Sequence, residues 1–284
     1  MYPTLKMFLA ENSMETLLTY DFKNESPWTD VVNEPFAIKK FQRYKLHNQS
    51  VSWKFDCDGF NGSCKLANDI YRTLWGWHFK TRFSMPKSLA DNLGSQWKRL
   101  GSDTMNSFAT IYNVAEKIYQ ENPTALFENS RLNKFASFTH NIGNFTLIPF
   151  KLDSQDRLSF NQSRGFNGGS NYFVFDFFDL SLKLIKEKTD DPLFKSYIDL
   201  FFLNDYVDEN YNIKPLFSRH GQFLQEDRIS LENPEKFLPQ NEEELNELLD
   251  NILKLIQKRG QRILEELKKH YSEDISTSGT AHLN

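Results

Sequence analysis

NEEELNELLDNILKLIQKRGQRILEELKKHY, residues 241–271, decides the fold class. Leu245, Leu248, Leu249, Ile252, Leu253, Ile256, Ile263, Leu264 and Leu267 recur at three- and four-residue steps, the period that gathers side chains on one face of an α-helix. Glu242, Glu243 and Glu244 stand in the first turn and Lys268 and Lys269 in the last, where the helix dipole favours each charge. Gly260 interrupts the stripe and marks a candidate kink. The expectation is an amphipathic helix over 240–272, packed on a globular domain of residues 1–239 and followed by a polar, disordered tail over 273–284.

Upstream, SDTMNSFATIYNVAEKIYQ (102–120) keeps Met105, Phe108, Ile111, Tyr112, Ala115, Ile118 and Tyr119 on a helical face, with Ser102 or Asp103 suited to the N-cap. TALFENSRLNKFASFTH (124–140) reads as helical, and so does SLADNLGSQWKRL (88–100). NYFVFDFFDLSLKLIKEKTDD and PLFKSYIDLFFLNDYV are long apolar runs that suit buried helices, the second starting at a Pro. PFAIKKFQRYKLHNQ opens with Pro35 and continues at near-helical spacing, while LANDIYRTLWGWHFKTRF fits helix or strand. The first 35 residues and the stretch 208–239, with Pro215, Pro234 and Pro239, read as irregular. Residues 50–65 read as a short strand and a Gly-rich loop. IGNFTLIP and RLSFN, separated by FKLDSQD, suggest a small hairpin. The predicted class is therefore mainly α, or α+β only through one small β-hairpin: a single globular domain with a long C-terminal amphipathic helix.

The chain has 284 residues, enough for a substantial core, and 39% apolar with 25% charged residues is an ordinary globular balance. Phe is over-used, with 26 copies, so the core is expected to consist of large flat side chains. Abundant Phe, Asn, Lys and Ile, all with AT-rich codons, lean towards a low-GC bacterial or phage source. A net charge of −4 counts against a dedicated nucleic-acid module, whose affinity rests on neutralising phosphates, although a local basic patch stays compatible with it. Two cysteines, Cys57 and Cys64, are too few for a disulfide framework. No signal-peptide pattern and no membrane-length apolar run occur, so a cytoplasmic location with reduced thiols is expected.

Few segments carry chemistry. Cys57 and Cys64 lack the spacing and partner ligands of a structural zinc site, and DCDGFNGSC lacks the terminal Glu of a calcium loop. Arg72 and His78 have the loose spacing of a helical ribonuclease pair, but an aromatic core segment explains RTLWGWH as well. In SFNQSRGFNGG, Asn161, Arg164, Gly165 and Asn167 share one loop, where an Arg and exposed backbone N–H groups can cradle phosphate. In SDTMNSF, capping accounts for Ser102 and Asp103, and Asn106 and Ser107 are left to face a pocket. THNIGNFTLIPF (139–150) holds His140, with Gly143 expected to supply a tight turn and Asn141 and Asn144 to bond backbone around it.

Taken together, GSDTMNSF, IGNFTLIP, SFNQSRG, DFFDLSL and YIDLFFLNDYV resemble a family of small uncharacterised bacterial proteins with an IGN…FNxxRG core. The resemblance covers roughly residues 20–217 and implies a shared fold without an assigned activity. More narrowly, HNIGNFTLI followed by Asn161 is similar to the HNH-type nuclease domain of modification-dependent restriction enzymes. That likeness implies metal-assisted phosphodiester cleavage by His140, Asn144 and Asn161, with Arg164 and Gly165 on phosphate and Mg or Mn as cofactor. The upstream Asp-His-x-x-Pro element of those domains has no counterpart, since the upstream histidines His47 and His78 lack that setting.

Two functional readings follow. One is an interaction protein, possible in a phage-defence setting, binding a protein partner through the C-terminal helix or a ligand in a loop pocket, with nucleic acid also a possible partner. The other is an HNH-like nuclease, which needs His140, Asn161 and a carboxylate such as Asp103, Asp176 or Asp179 to converge in an open cleft.

Overall fold

A computed structural model of the protein describes residues 2–22, 26–27, 65–76, 100–149, 176–226 and 234–279, with side chains of the last segment described to residue 272. The readings at 35–64, at 77–99 and at 150–175 lie outside the described residues. These include Cys57, Cys64, His78, Asn161, Arg164, Gly165 and Asn167.

Among the described residues the fold is mainly α, with nine α-helices and two short antiparallel strand pairs. In chain order they are α1 (Pro3–Glu11), β1 (Tyr20–Asp21), β2 (Ser26–Pro27), α2 (Lys65–Trp75), β3 (Leu100–Thr104), α3 (Phe108–Ile118), α4 (Pro123–Glu128), α5 (Ser130–Phe138), β4 (Phe145–Pro149), α6 (Phe178–Glu187), α7 (Asp191–Leu200), α8 (His220–Gln225) and α9 (Glu242–Gly279). Short 3₁₀ turns lie at Met14–Leu18, Asn204–Tyr206 and Pro234–Phe237.

The helix α9 is the axis of the molecule. All nine apolar residues of its stripe are buried. It touches α5, α2, α3 and the 3₁₀ turns at 14–18 and 204–206, so one hydrophobic cluster runs from Leu5 to Leu267. Burial of a Leu or Ile side chain contributes on the order of 1.5–3 kcal/mol, which makes this stripe the largest contribution of any single element among the described residues. The helix continues through Gly260 and ends at Gly279, beyond the expected end near 272. No helix among the described residues is long and apolar enough to cross a membrane.

Local punctuation matches the sequence in several places. Asn122 caps α4, with Pro123 opening it, and Asn129 accepts from Leu132 N to cap α5. One expected helix over 124–140 is thereby split in two. Asp190 caps α7 through Leu193 N. That helix closes with Leu203 N on Ile198 O and Phe202 N on Asp199 O, while Phe202 takes φ 58°. This is the Schellman arrangement with Phe in place of the usual Gly.

Two local expectations are corrected. Residues 100–104 form strand β3, so neither Ser102 nor Asp103 caps a helix; Ser107 stands at the N-cap position of α3. Among the described residues β4 pairs with this strand, in the register Leu100↔Pro149, Ser102↔Leu147 and Thr104↔Phe145, and RLSFN, its expected hairpin partner, lies outside them. LGSDT has weak strand propensity, and pairing with the fully buried FTLIP overrides it. The N-terminal segment is also more regular than expected. Tyr2 offers no side-chain cap to α1, but Asp69 of α2 accepts from Thr4 N at 2.7 Å and Leu5 N at 3.1 Å. The cap comes from a residue far along the chain, which a local reading does not see.

Candidate functional site

The turn between α5 and β4 carries the sequence-predicted residues His140 and Asn144, and the whole turn is sealed from solvent. Thr139, His140, Asn141 and Asn144 are all buried. Asn141 builds the turn: its Oδ1 accepts from Gly143 N at 3.0 Å and Asn144 N at 3.2 Å, and its Nδ2 donates to Leu18 O. This is the backbone bonding expected of an Asn in a turn.

Asn144 prolongs the β3–β4 ladder with its side chain. Met105 N donates to Asn144 O at 2.7 Å, Asn106 N donates to Asn144 Oδ1 at 3.2 Å, and Asn144 Nδ2 donates to Asn106 O at 3.0 Å. A carboxamide has the donor and acceptor of a peptide group, so it pairs with the backbone as a neighbouring strand would. The second Nδ2 proton goes to Thr139 O at 2.7 Å. Asn106 relays the network: its Oδ1 accepts from Phe178 N and its Nδ2 donates to the Tyr206 hydroxyl at 3.3 Å. Burial pushes the Tyr206 phenol well above its ordinary range, so it stays neutral. Asn106, left by the sequence to face a pocket, is thus wholly enclosed.

Gly143 differs from expectation in its reason. Its φ is not in the left-handed region. A Cβ built on it would lie 2.1 Å from Ile256 O, so the turn rests directly on the backbone of α9. Gly260, one turn further along α9, answers it: a Cβ there would lie 3.8 Å from Gly143 Cα and 3.1 Å from Leu18 Cδ2. The interruption in the stripe is the space into which the turn fits.

Arg259 closes the assembly, and the sequence reading passed over it. Its Nη1 donates to Phe145 O at 2.6 Å, Gly143 O at 3.1 Å and Ile142 O at 3.2 Å, and its Nε to Phe201 O at 3.0 Å. The side chain is 1% exposed, and burial lowers its pKa to about 10. It remains a cation at neutral pH, held by four carbonyl dipoles. The left-handed Phe202 ends α7 where the Phe201 carbonyl meets Nε. A signal existed: Arg259 lies three residues after Ile256 and seven after Ile252, a charge at an apolar position of the stripe.

Two buried histidines face aspartates. His140 Nδ1 lies 3.6 Å from Asp21 Oδ2, and its ring stacks on Phe145 with centroids 5.9 Å apart. His220 Nδ1 lies 2.7 Å from Asp179 Oδ2, and its Nε2 lies 2.8 Å from Phe237 O. A carbonyl only accepts, so His220 Nε2 carries a proton. Asp179 also accepts from Leu180 N at 2.9 Å and Leu216 N at 2.8 Å. All four side chains are fully buried.

The carboxylates expected near His140 therefore do other work. Asp179 holds His220, Asp176 accepts from the Thr110 hydroxyl, and Asp103 accepts from Thr104 N within β3. The structure brings His140 and Asn144 together on one turn, with Asp21 as the histidine's carboxylate. Among the described residues, no three His, Cys, Asp or Glu side chains gather to hold a metal ion. Arg72 lies 3.7 Å above the Tyr2 ring, a cation–π contact that ties α2 to the N-terminus.

Among the described residues, two concave surfaces lie away from this turn. One, of about 560 Å³, is bounded by α6, α8 and the 212–215 segment. The other, of about 450 Å³, runs between α5 and α9 and carries Arg131, Lys134 and Lys254 beside Asp250. No family model, curated protein or solved structure matches the chain.

Proposed function

We propose that this chain is an interaction protein that acts by binding a partner, in the phage-defence setting suggested by its resemblance to restriction-enzyme domains. The observation that carries the reading is the enclosure of His140 and Asn144. A general base or a metal ligand has to reach water or substrate. Here His140 is buried against Asp21 and Phe145, and both amide protons of Asn144 are committed to Thr139 O and Asn106 O. Their chemistry supports the fold.

The face offered to a partner is the polar side of α9, because its apolar stripe is turned inward. The cleft between α5 and α9 sets three cationic side chains against one carboxylate. That balance favours an acidic partner surface, with a phosphate backbone as one example.

The test is a cleavage assay. The purified protein is incubated with plasmid DNA, single-stranded DNA and RNA in Mg²⁺, Mn²⁺ or EDTA, beside His140→Asn checked for folding by circular dichroism. No cleavage under any condition is expected. Metal-dependent cleavage that disappears in a folded His140→Asn would overturn the reading in favour of an HNH-like nuclease.

A further inference from the structure

The concavity bounded by α6, α8 and residues 212–215 has the make-up of a small-molecule site. Its volume, about 560 Å³, falls within the range of roughly 300–1,000 Å³ of ligand pockets. Ile213, Pro215 and Leu224 give it an apolar wall, and Lys183 and Lys186 of α6 give it two cations. Glu187 is the one acidic residue in the lining, so the pocket carries a net positive charge.

Both ammonium groups are fixed in place. Lys183 Nζ donates to Glu226 O at 2.5 Å and sits 3.5 Å from Glu187 Oε1. Lys186 Nζ donates to Tyr211 O at 3.0 Å, and Tyr211 takes φ 61°, a backbone conformation rare for a residue with a side chain. Of three ammonium protons, Lys183 commits two to the Glu226 carbonyl and the Glu187 carboxylate, and Lys186 commits one to the Tyr211 carbonyl while lying 5.4 Å from the centre of the Phe194 ring, so Lys186 is the main donor left for a ligand. Lysines tethered in this way lose little side-chain entropy when an anion arrives. Gly221 completes the pocket: a Cβ there would meet only Pro215 Cγ, at 3.9 Å. The backbone of α8 thus borders open space rather than packed neighbours.

We propose that this pocket binds a small monoanion with a short apolar body, of the alkyl carboxylate class. The anion sits between Lys183 and Lys186, and the alkyl part lies along Ile213, Pro215 and Leu224. The inference goes beyond the binding-protein reading and holds whichever way the cleavage assay falls.

Calorimetric titration of the full chain with butanoate, hexanoate and octanoate tests it, with hexylamine and inorganic phosphate as controls. Saturable binding at one site per chain is expected for a carboxylate and for neither control. Lys186→Met should weaken it at least tenfold, and Lys186→Arg should restore most of the affinity. Gly221→Leu, which fills the open space, should abolish binding while the thermal unfolding midpoint stays at or above that of the parent. The proposal is overturned if no carboxylate saturates the protein, if hexylamine binds equally well, or if inorganic phosphate does. It is equally overturned if Gly221→Leu and Lys186→Met bind like the parent.

Discussion

The 139–145 turn and the pocket beside α8 are both polar, both bordered by a glycine and both anchored by fixed cations, yet their chemistry points in opposite directions. In the turn, Arg259 directs Nε and Nη1 at four backbone carbonyls, and Gly143 lies so close to α9 that a side chain has no room. In the pocket, Lys183 takes one carbonyl and the Glu187 carboxylate, Lys186 takes one carbonyl beside the Phe194 ring and keeps protons in reserve, and Gly221 faces open space. A polar group whose bonds are completed inside the protein stabilises the fold. One whose bonds are left incomplete beside a cavity is available to a ligand. Asn144 belongs to the first kind although its sequence neighbourhood looks like the second.

The largest test of this contrast is Arg259→Met. It strips four buried carbonyls of their donor, each orphaned group costing about 1–3 kcal/mol, while removing the buried charge offsets part of the loss. A net loss of about 3–5 kcal/mol is expected in urea unfolding, and an unchanged midpoint would break the account of the turn. Next comes a matched pair of Gly→Ala changes. Gly143→Ala forces a methyl group onto Ile256 O and should cost about 1–3 kcal/mol or more. Gly221→Ala meets only Pro215 and sits in a helix, so it should stabilise by up to about 1 kcal/mol. The same substitution with opposite signs would sharpen the comparison, and equal signs would dissolve it.

The smallest effect is one of pH, at a surface pair that belongs to neither region. Arg219 holds Glu244 through two bonds, Nε to Oε2 at 3.1 Å and Nη2 to Oε1 at 2.5 Å. Burial works to raise the Glu244 pKa, but Arg219 and the Gln240 N–H outweigh it, so the carboxyl is held below its ordinary 4.5. A carboxyl with a depressed folded pKa contributes stability that is present above 4.5 and lost as pH falls below it. Glu244→Gln should therefore lower the thermal midpoint slightly at pH 7, with the difference from the parent fading at pH 3.

The contrast also explains which parts of the molecule were legible. The stripe of α9 and the bonding of Asn141 are local patterns, complete within a few residues, whereas the caps at Asn122, Asn129 and Asp190, though equally local, were not among those expected. His140 and Asn144 were singled out correctly as members of one turn, but their burial depends on α9 lying across it. His220, the histidine with both ring nitrogens bonded, attracted no notice because Asp179 and Phe237 reach it from elsewhere in the chain.

By itself, then, the sequence determined a mainly helical chain closed by one long amphipathic helix, because hydrophobic period acts over three or four residues. The tertiary structure alone decided that β4 pairs with LGSDT, that Asp69 caps α1, that Gly143 and Gly260 face each other and that Arg259 serves four carbonyls. Each of these joins residues far apart in the chain. A buried hydrogen bond or a close backbone approach exists only once packing has brought both sides together.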